Sequence, residues 1–336
     1  FGLRPALLQG RTLINTDSEQ EGELCIGCAG GANVTGRLPV ERLPLKAGWH
    51  PLRLAVTGLK GGHSGVDIHR GRGNAIRLLF RILRDELVRQ RLKLLSLDAG
   101  NLRNAIPREA YAVIAVPTGT VDGFQERLRH WQGVFLAELQ RVDPGLRVAA
   151  TEAGEHAETW IGDRAQARLI HAVSACPNGV LRMSDDMPGL VESSCNLSLV
   201  RSLDGGEIEI QTLVRSSVDT ARDDICRRIE SLFALAGAES LVDGEYPGWQ
   251  PDPASALLQR VKRVYRARFG RDPTVGAIHA GLECGIIRGC CPEMEMISFG
   301  PTIRDPHSPD ERVHIPSVAR FWDLLTGTLA QAPALS

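Results

Sequence analysis

The chain has almost no net charge and no long apolar run. Its 336 residues include 39 Lys and Arg against 40 Asp and Glu, which gives a formal charge of -1. This balance offers no overall electrostatic attraction to nucleic acid or to an anionic membrane. No window approaches the roughly 18 consecutive apolar residues that a membrane-spanning helix needs. We therefore predict no nucleic-acid partner and no membrane partner.

The chain also lacks the cysteine pattern of a disulfide-stabilised domain, because its eight cysteines are scattered. Cys25 and Cys28 form a CxxC pair, but no second pair follows at the spacing of a zinc ribbon. Buried free thiols in a reducing cytosol explain these residues better than a metal or redox role. We expect a cytoplasmic protein.

Length and periodicity predict an α/β protein with two or three domains. The middle of the chain approximates the split βαβ order, β-α-β-β-α-β, twice, without clear sequence identity between the two rounds. The first round has predicted strands at 52–57, 93–98, 110–116 and 146–150, with helices at 74–90 and 121–141. The second has helices at 163–176 and 219–236, with strands at 191–200, 207–214 and 239–243.

The remaining segments are too short to form separate α/β sheets. A Gly-rich stretch from Gly22 to Gly31 is interpreted as the exit from a first strand, and a Pro/Gly-rich boundary lies at 246–253. We predict that residues 31–243 form an inserted α+β domain. Residues 1–30 and 244–336 would together complete the domain that carries this insertion.

Two segments have the chemistry of a divalent metal site. His307 lies between Pro306 and Pro309, and prolines fix φ and stiffen the loop that holds this imidazole. Asp17 ends a short apolar strand near the start of the chain. A carboxylate and a rigidly held imidazole are zinc ligands. Taken singly, Asp17 is better explained as a helix N-cap and His307 as an ordinary loop residue, and only the two together with His63 favour a metal site.

A glycine-rich loop at 58–65 presents His63, and its glycines permit unusual φ angles and close backbone approach. The alternatives are a phosphate-binding loop or a plain turn, although no GK[ST] motif follows. Asn104 lies in a polar loop, and Arg215 at a strand end is able to bind a substrate carboxylate. Each of these two is also explained as a solvated or capping residue. Glu283 follows a strand in the segment 279–285, where a catalytic role and a supporting role both stay open.

Together these segments resemble the bacterial aminoacyl-histidine dipeptidases, also called cytosolic non-specific dipeptidases. This family belongs to the zinc metallopeptidases that include carnosinase and the aminoacylases. The resemblance covers essentially the whole chain. It rests on motifs in the family's order, at 15–23, 58–65, 104–109, 246–252, 279–285 and 300–311.

The resemblance implies a mixed-sheet zinc-peptidase catalytic domain with an inserted lid domain that shapes the pocket and often mediates homodimerisation. The catalytic domain would hold two zinc ions, with manganese or cobalt as alternatives. Asp17 is similar to a carboxylate ligand of one ion, and His307 to the imidazole ligand of the other.

The resemblance also implies roles for residues outside the metal site. His63 resembles a lid histidine that donates a hydrogen bond to the oxyanion of the tetrahedral intermediate. Asn104 and Arg215 resemble the lid groups that hold the substrate's backbone and terminal carboxylate. Glu283 lies in a matching motif and is a further substrate-binding candidate.

One departure from the family is clear. Its members carry a His-x-Asp motif, a bridging Asp and a Glu-Glu pair upstream of the point where this sequence starts, and no HxD occurs here. Phe1-Gly2-Leu3 is typical of a domain interior. We therefore expect that an N-terminal portion is missing and that these residues alone are inactive.

The expected activity of the complete protein is metal-dependent hydrolysis of dipeptides, both Xaa-His and broader types. A related carboxypeptidase or N-acyl-amino-acid deacylase of the same architecture is one alternative. A non-catalytic fragment that binds a partner or dimerises through the inserted domain is another.

Overall fold

The structure is a computed structural model that describes residues 8–89, 91–154, 158–306 and 308–331. The strands, numbered along the chain, are β1 (Thr12–Asn15), β2 (Glu23–Cys28), β3 (Gly30–Pro39), β4 (Arg42–Pro44), β5 (Trp49–Thr57), β6 (Gly62–His63), β7 (Lys93–Gly100), β8 (Ala105–Ile106), β9 (Ala110–Pro117), β10 (Arg147–Glu152), β11 (Thr159–Ile161), β12 (Gly179–Met183), β13 (Val191–Leu203), β14 (Glu207–Ser216), β15 (Glu239–Tyr246), β16 (Thr274–Ile278), β17 (Glu295–Ser298), β18 (Ile303–Arg304) and β19 (Arg312–Val313). The α-helices are α1 (Ala75–Val88), α2 (Val121–Leu139), α3 (Asp163–Ala175), α4 (Asp219–Ala236), α5 (Ala256–Phe269), α6 (Glu283–Cys290) and α7 (Ile315–Leu329).

A small mixed sheet is built from both ends of the chain, in the order β1-β17-β2-β16. The pairs β1/β17 and β2/β16 are parallel, whereas β17 and β2 are antiparallel. Its core packs strand residues such as Leu24 and Ile297 against Val261 of α5 and Leu324 of α7. The carboxyl ends of β1 and β17 therefore lie at one edge of this sheet, and those of β2 and β16 at the other.

A large antiparallel sheet contains the middle of the chain, in the order β10-β5-β9-β7-β13-β14-β3-β15, with β12 paired to β13. It has two halves with the same strand order. The first half has the chain order β5-α1-β7-β9-α2-β10. In the sheet its strands lie in the order β10-β5-β9-β7, that is, fourth, first, third and second. The second half repeats this order with β3-α3-β13-β14-α4-β15. Two split βαβ halves were expected, and both are confirmed.

Strand β3 is the main error of the sequence interpretation. The glycine-rich stretch before residue 32 was predicted to be an exit loop, but it forms the end of β2 and the start of β3. Its glycines allow close packing: a Cβ on Gly30 would lie 2.5 Å from the backbone nitrogen of Gly248. Along β3, Ala32, Val34 and Leu38 are fully buried under the helices. The alternating apolar pattern was present, and the glycines obscured it.

Several contacts join the two halves, among them the antiparallel pairing of β7 with β13 and the side chain of Asn74. Asn74 caps α1 by accepting hydrogen bonds from the backbone N–H groups of Ile76 and Arg77. Its side-chain nitrogen also donates to the carbonyl oxygen of Leu197 at 2.8 Å. The predicted helix at 74–90 is confirmed, and its N-cap connects the halves.

The helices α1 to α4 cover one face of the large sheet with a continuous apolar core. On the opposite face, the second half carries buried polar side chains, among them Ser194, Asn196 and Arg215. We call this the polar face. None of the helices in the described segments combines the length and apolar character that crossing a membrane would require.

The chain crosses between the two sheets at two neighbouring places. The backbones of Cys28 and Trp249 exchange two hydrogen bonds of 2.9 Å each, so the crossings run antiparallel and in contact. The predicted domain boundaries, after residues 30 and 243, lie close to these crossings. As a division into domains they stay a prediction.

Candidate active site

A cleft of about 530 Å³ opens beside the small sheet. Its wall includes Asp17 after β1, Cys25 on β2 and Ile278 at the end of β16. Val66, which follows the glycine-rich loop of residues 58–65, also lines it. The cleft therefore joins the predicted metal segment to the segment that carries His63.

Asp17 presents a free carboxylate to this cleft. Its backbone N–H donates to Asn15 Oδ1 at 2.7 Å, which fixes the turn after β1. Within the described residues, the Asp17 carboxylate takes part in no hydrogen bond or ion pair. Asn15 Nδ2 donates to Glu283 Oε2 at 3.3 Å, so Asn15 places two of the predicted site carboxylates near one another.

His307, the second predicted metal ligand, lies outside the described residues. Its neighbours Asp305 and Pro306 line the same cleft as Asp17. Asp305 has a φ of 54°, in the left-handed region, and pairs with Arg312 at 3.0 Å. Such backbone conformations concentrate at functional sites. The convergence of Asp17 and His307 stays a prediction.

His63 is held in one tautomer by its own loop. Its Nδ1 accepts hydrogen bonds from the backbone N–H groups of Gly65 and Val66, both at 3.1 Å. Partial burial, reinforced by the charge of Arg215 and opposed by Asp67, lowers the pKa of His63. At neutral pH the ring is therefore uncharged and its proton lies on Nε2. Nε2–H is the donor that an oxyanion would require.

Ser64 joins three of the predicted site residues. It follows His63, its backbone N–H donates to the carbonyl oxygen of Asn104 at 2.8 Å, and its Oγ accepts from Arg215 Nε at 3.4 Å. Only 1 % of Ser64 is exposed, so these contacts are shielded from water. The structure thus brings His63, Asn104 and Arg215 together, although they lie far apart in sequence.

Arg215 is a buried cation without an acidic partner. Its exposed fraction is 5 %, and Nη1 donates to the hydroxyl oxygen of Tyr246 at 2.8 Å. Among the residues that the structure describes, no carboxylate pairs with it. An unpaired buried charge is costly, so a guanidinium held in this way is prepared for an anion from outside the chain.

His279 connects the polar face to the loop that follows β16. Its Nε2 lies 2.7 Å from Ser194 Oγ, and a Cβ on Gly65 would collide with its carbonyl oxygen. Burial, with a smaller contribution from the nearby charge of Arg215, lowers the pKa of His279 to about 3. It is therefore a neutral packing residue between the large sheet and the small sheet.

Burial argues against Cys28 and Cys284 as nucleophiles. All eight are free thiols. Burial raises the pKa of Cys28 to about 11 and that of Cys284 to about 12, so neither is a thiolate at neutral pH. The predicted free thiols are confirmed, and the CxxC pair shows no feature of a reactive site.

Comparisons with known proteins match this arrangement. The chain is 43% identical to the cytosol non-specific dipeptidase of Escherichia coli over 334 residues, which are 99% of this chain and 68% of that protein. The chain belongs to this dipeptidase family. The resemblance found in the sequence is thereby confirmed.

Solved structures agree with this membership of the dipeptidase family. The aminoacylhistidine dipeptidase of Vibrio alginolyticus matches with a TM-score of 0.93 and 40% identity, over 100% of this chain and 68% of that one. The aminopeptidase PepT of Bacillus cereus, with a TM-score of 0.50 and 12% identity over 97% of this chain and 58% of that one, shows the fold alone. Residues 54–139 also match the family described as "Peptidase dimerisation domain". A dimerisation domain is therefore present, and it corresponds to most of the first half of the large sheet.

Membership of this metallopeptidase family implies a divalent metal. The described residues alone contain no group of three or more His, Cys, Asp or Glu that could hold one. Asp17 nevertheless fits such a role, because it is a carboxylate in the cleft without a partner among the described residues. Hard carboxylate oxygen is a suitable ligand for zinc and for manganese.

Sequence reasoning missed Ser64, Ser194 and Tyr246, which hold the site together. Tyr246 begins one of the motifs, but its residue type alone gave no role. Ser194 lies in a strand whose alternating polar residues face the site. The signal for Ser194 was the series of small polar side chains on one face of β13, and it has meaning only when the facing element is known.

Proposed function

We propose that this protein is a cytoplasmic, metal-dependent dipeptidase that acts on Xaa-His and other dipeptides. One observation carries the proposal: near the cleft of Asp17, the neutral imidazole of His63 is next in sequence to Ser64, and Ser64 binds the buried guanidinium of Arg215, which has no acidic partner among the described residues. An anion site and a neutral hydrogen-bond donor near a free carboxylate are the parts that binding and cleaving a short peptide needs. The E. coli relative is named a cytosolic enzyme, and we infer the same compartment here.

Arg215 would bind the substrate's terminal carboxylate. The charge-assisted hydrogen bonds form in a site shielded from water, which strengthens them. Asn104, whose backbone is fixed by Ser64, would contact the peptide backbone. Glu283, exposed at the start of α6, would attract the free ammonium group. Recognition of both charged ends by fixed groups limits the length of the substrate, and this explains a preference for dipeptides.

His63 would act on the carbonyl oxygen as it becomes an oxyanion. Its Nε2–H is already directed by the two backbone hydrogen bonds to Nδ1, so no reorganisation of the ring is required. The ring donates a hydrogen bond and keeps its proton. A fixed donor of this type contributes on the order of 3–4 kcal/mol to the stabilisation of the transition state.

Asp17 and His307 would hold the metal, with two zinc ions as the proposed complement and manganese or cobalt as alternatives. When bound, such ions polarise the scissile carbonyl and lower the pKa of the attacking water. We further propose a homodimer formed through the dimerisation domain.

The proposal is tested with the protein expressed from its complete natural reading frame. Hydrolysis of Xaa-His dipeptides is measured with zinc, manganese or cobalt, and again after chelation. Tripeptides and N-acyl amino acids form the comparison panel. We expect metal-dependent cleavage of dipeptides above all others. Preferred cleavage of N-acyl amino acids, or cleavage that survives chelation, would overturn the proposal.

The role of His63 has its own test in the same protein. His63→Ala should lower kcat roughly 100- to 1,000-fold, the usual effect of removing one oxyanion donor, while the metal content is retained. His69→Ala, which removes an exposed imidazole six residues away, is the matched control. Loss of bound metal in His63→Ala would instead assign this residue to metal binding.

A further inference from the structure

Arg215 and Tyr246 flank a glycine in one row of the large sheet. Arg215 on β14 is paired with Gly31 on β3, and Gly31 is paired in turn with Tyr246 on β15. The two side chains extend over Gly31 from opposite sides and meet, with Nη1 of Arg215 donating to the Tyr246 hydroxyl at 2.8 Å. The absence of a side chain at position 31 makes this contact possible.

The phenol ring is fixed between two glycines. A Cβ on Gly31 would lie 2.5 Å from the Tyr246 hydroxyl oxygen and 2.6 Å from Cε1. On another side of the ring, a Cβ on Gly281 would lie 3.0 Å from Cε2. The backbone of Tyr246 is held as well, because Arg222 Nη1 donates to its carbonyl oxygen at 2.7 Å. The hydroxyl that accepts from Arg215 therefore has a defined position.

Among the described residues, the two side chains that accept hydrogen bonds from Arg215 both do so through neutral oxygens. Ser64 Oγ accepts from Nε, and the Tyr246 hydroxyl accepts from Nη1. A carboxylate in either place would hold the guanidinium equally well, but it would neutralise the charge and compete with an incoming anion. A hydroxyl orients the guanidinium and leaves its charge available.

We propose that Tyr246 is a positioning residue: it directs the Arg215 guanidinium toward the substrate's terminal carboxylate without neutralising it. This inference rests on the proposed dipeptidase function and extends it. A mobile arginine side chain loses conformational entropy when it binds a ligand. A fixed acceptor orders the side chain before binding, so that this cost no longer reduces the affinity for the ligand. Tyr246 thus acts on substrate affinity through Arg215.

The test is Tyr246→Phe in the metal-loaded protein of natural length. Losing one hydrogen bond to a charged group should raise KM for a dipeptide roughly 10-fold and leave kcat nearly unchanged. The KM for the matching dipeptide amide, which lacks the terminal carboxylate, should be the same in Tyr246→Phe as in the wild type. The control is Tyr111→Phe, which removes a phenol hydroxyl bonded to Glu109 at 3.1 Å elsewhere on the sheet.

A double-mutant cycle separates positioning from general structural damage. In an Arg215→Met background, adding Tyr246→Phe should change KM no further. Gly31→Ala, which displaces the ring, should reproduce the KM effect of Tyr246→Phe. Equal losses for the dipeptide and its amide, additive effects in the double variant, or an unchanged KM would each overturn the inference.

A readout without turnover keeps this inference distinct from the proposed function. The NMR signal of the Arg215 Nε–H group should be sharp in the wild type and broadened or lost in Tyr246→Phe, because the guanidinium becomes mobile. If the wild type cleaves no dipeptide, the proposed function fails. If the Arg215 signal is the same in both proteins, the positioning role fails.

Discussion

The two halves of the large sheet share one strand order, and each carries an Arg–Tyr pair on the face opposite its helices. In the first half, the guanidinium carbon of Arg53 lies 4.4 Å from the centroid of the Tyr111 ring, and Arg53 is exposed. In the second half, Arg215 is buried and bonded to the Tyr246 hydroxyl. The same two residue types on the same architecture make an exposed contact in one half and a buried hydrogen bond in the other.

The difference comes from what covers each face. The polar face of the second half is turned toward the small sheet, and His279 reaches it from the loop after β16. Removing Arg215 from water strengthens every electrostatic interaction that it makes. Arg53 keeps its hydration and contributes little. The shared strand order therefore does not determine what the two Arg–Tyr pairs do. The elements that pack against each face of the sheet determine it.

Replacing each of the two arginines separately with methionine should give the largest difference in kcat/KM between the two halves. Arg215→Met should lower kcat/KM for dipeptides by about 100-fold or more, because a buried, charge-assisted contact to the substrate is lost. Arg53→Met should leave kcat/KM within about twofold, as an exposed cation–π contact contributes only about 0.5–1 kcal/mol to stability. Steady-state kinetics on both variants measures this. Equal losses would remove the functional distinction between the halves.

The packing of His279 against the polar face should make stability depend on pH. The unfolded chain takes up a proton at this residue near its ordinary pKa of 6.5, whereas the folded chain does so only near 3. Stability should therefore be complete above pH 6.5 and fall as the pH drops from 6.5 toward 3, by a few kcal/mol at most.

Denaturant unfolding at pH 7 and pH 4.5 measures the effect of His279. In His279→Gln the loss of stability between the two pH values should be smaller than in the wild type. His171→Gln, which removes an exposed imidazole from α3, serves as the matched variant. A His279→Gln protein with the wild-type pH dependence would show that this histidine is not held neutral by burial.

Asn74→Ala should separate stability from function in the connection between the halves. It removes the N-cap of α1 and the hydrogen bond to Leu197, at a cost of about 1–2 kcal/mol. Substrate affinity should stay unchanged, because the polar face is left intact. Thermal unfolding and KM, measured on the same preparation, provide the check. A rise in KM comparable to that of Tyr246→Phe would mean that the first half of the sheet also determines substrate affinity.

Most of the fold was predictable because its signals are local. Helix α1 has an asparagine cap and an apolar stripe, and the turn between β13 and β14 has an Asp-Gly-Gly sequence. Both features are specified by neighbouring residues. Strand β3 was missed since its glycines are explained only by Phe233, Tyr246 and Gly248, which approach them from distant parts of the chain.

The candidate residues came from the sequence, whereas the contacts between them could not be predicted. Motifs identified Asp17, His63, Asn104 and Arg215 as candidates, and the structure places the last three around Ser64. Their common partner could not be inferred, because a serine beside a glycine has no distinctive pattern. The burial of Arg215 and the absence of a described acidic partner are tertiary properties, and the sequence shows neither.

We expect Arg215 and Asp17 to act on one bound substrate, Arg215 by holding its terminal carboxylate and Asp17 by binding the metal beside it. A crystal structure of the natural-length protein with zinc and a non-hydrolysable dipeptide tests this most directly. We predict the ligand's terminal carboxylate within hydrogen-bond distance of the Arg215 guanidinium and the metal bound by Asp17. A carboxylate bound elsewhere, with Asp17 making no contact to metal, would contradict the account.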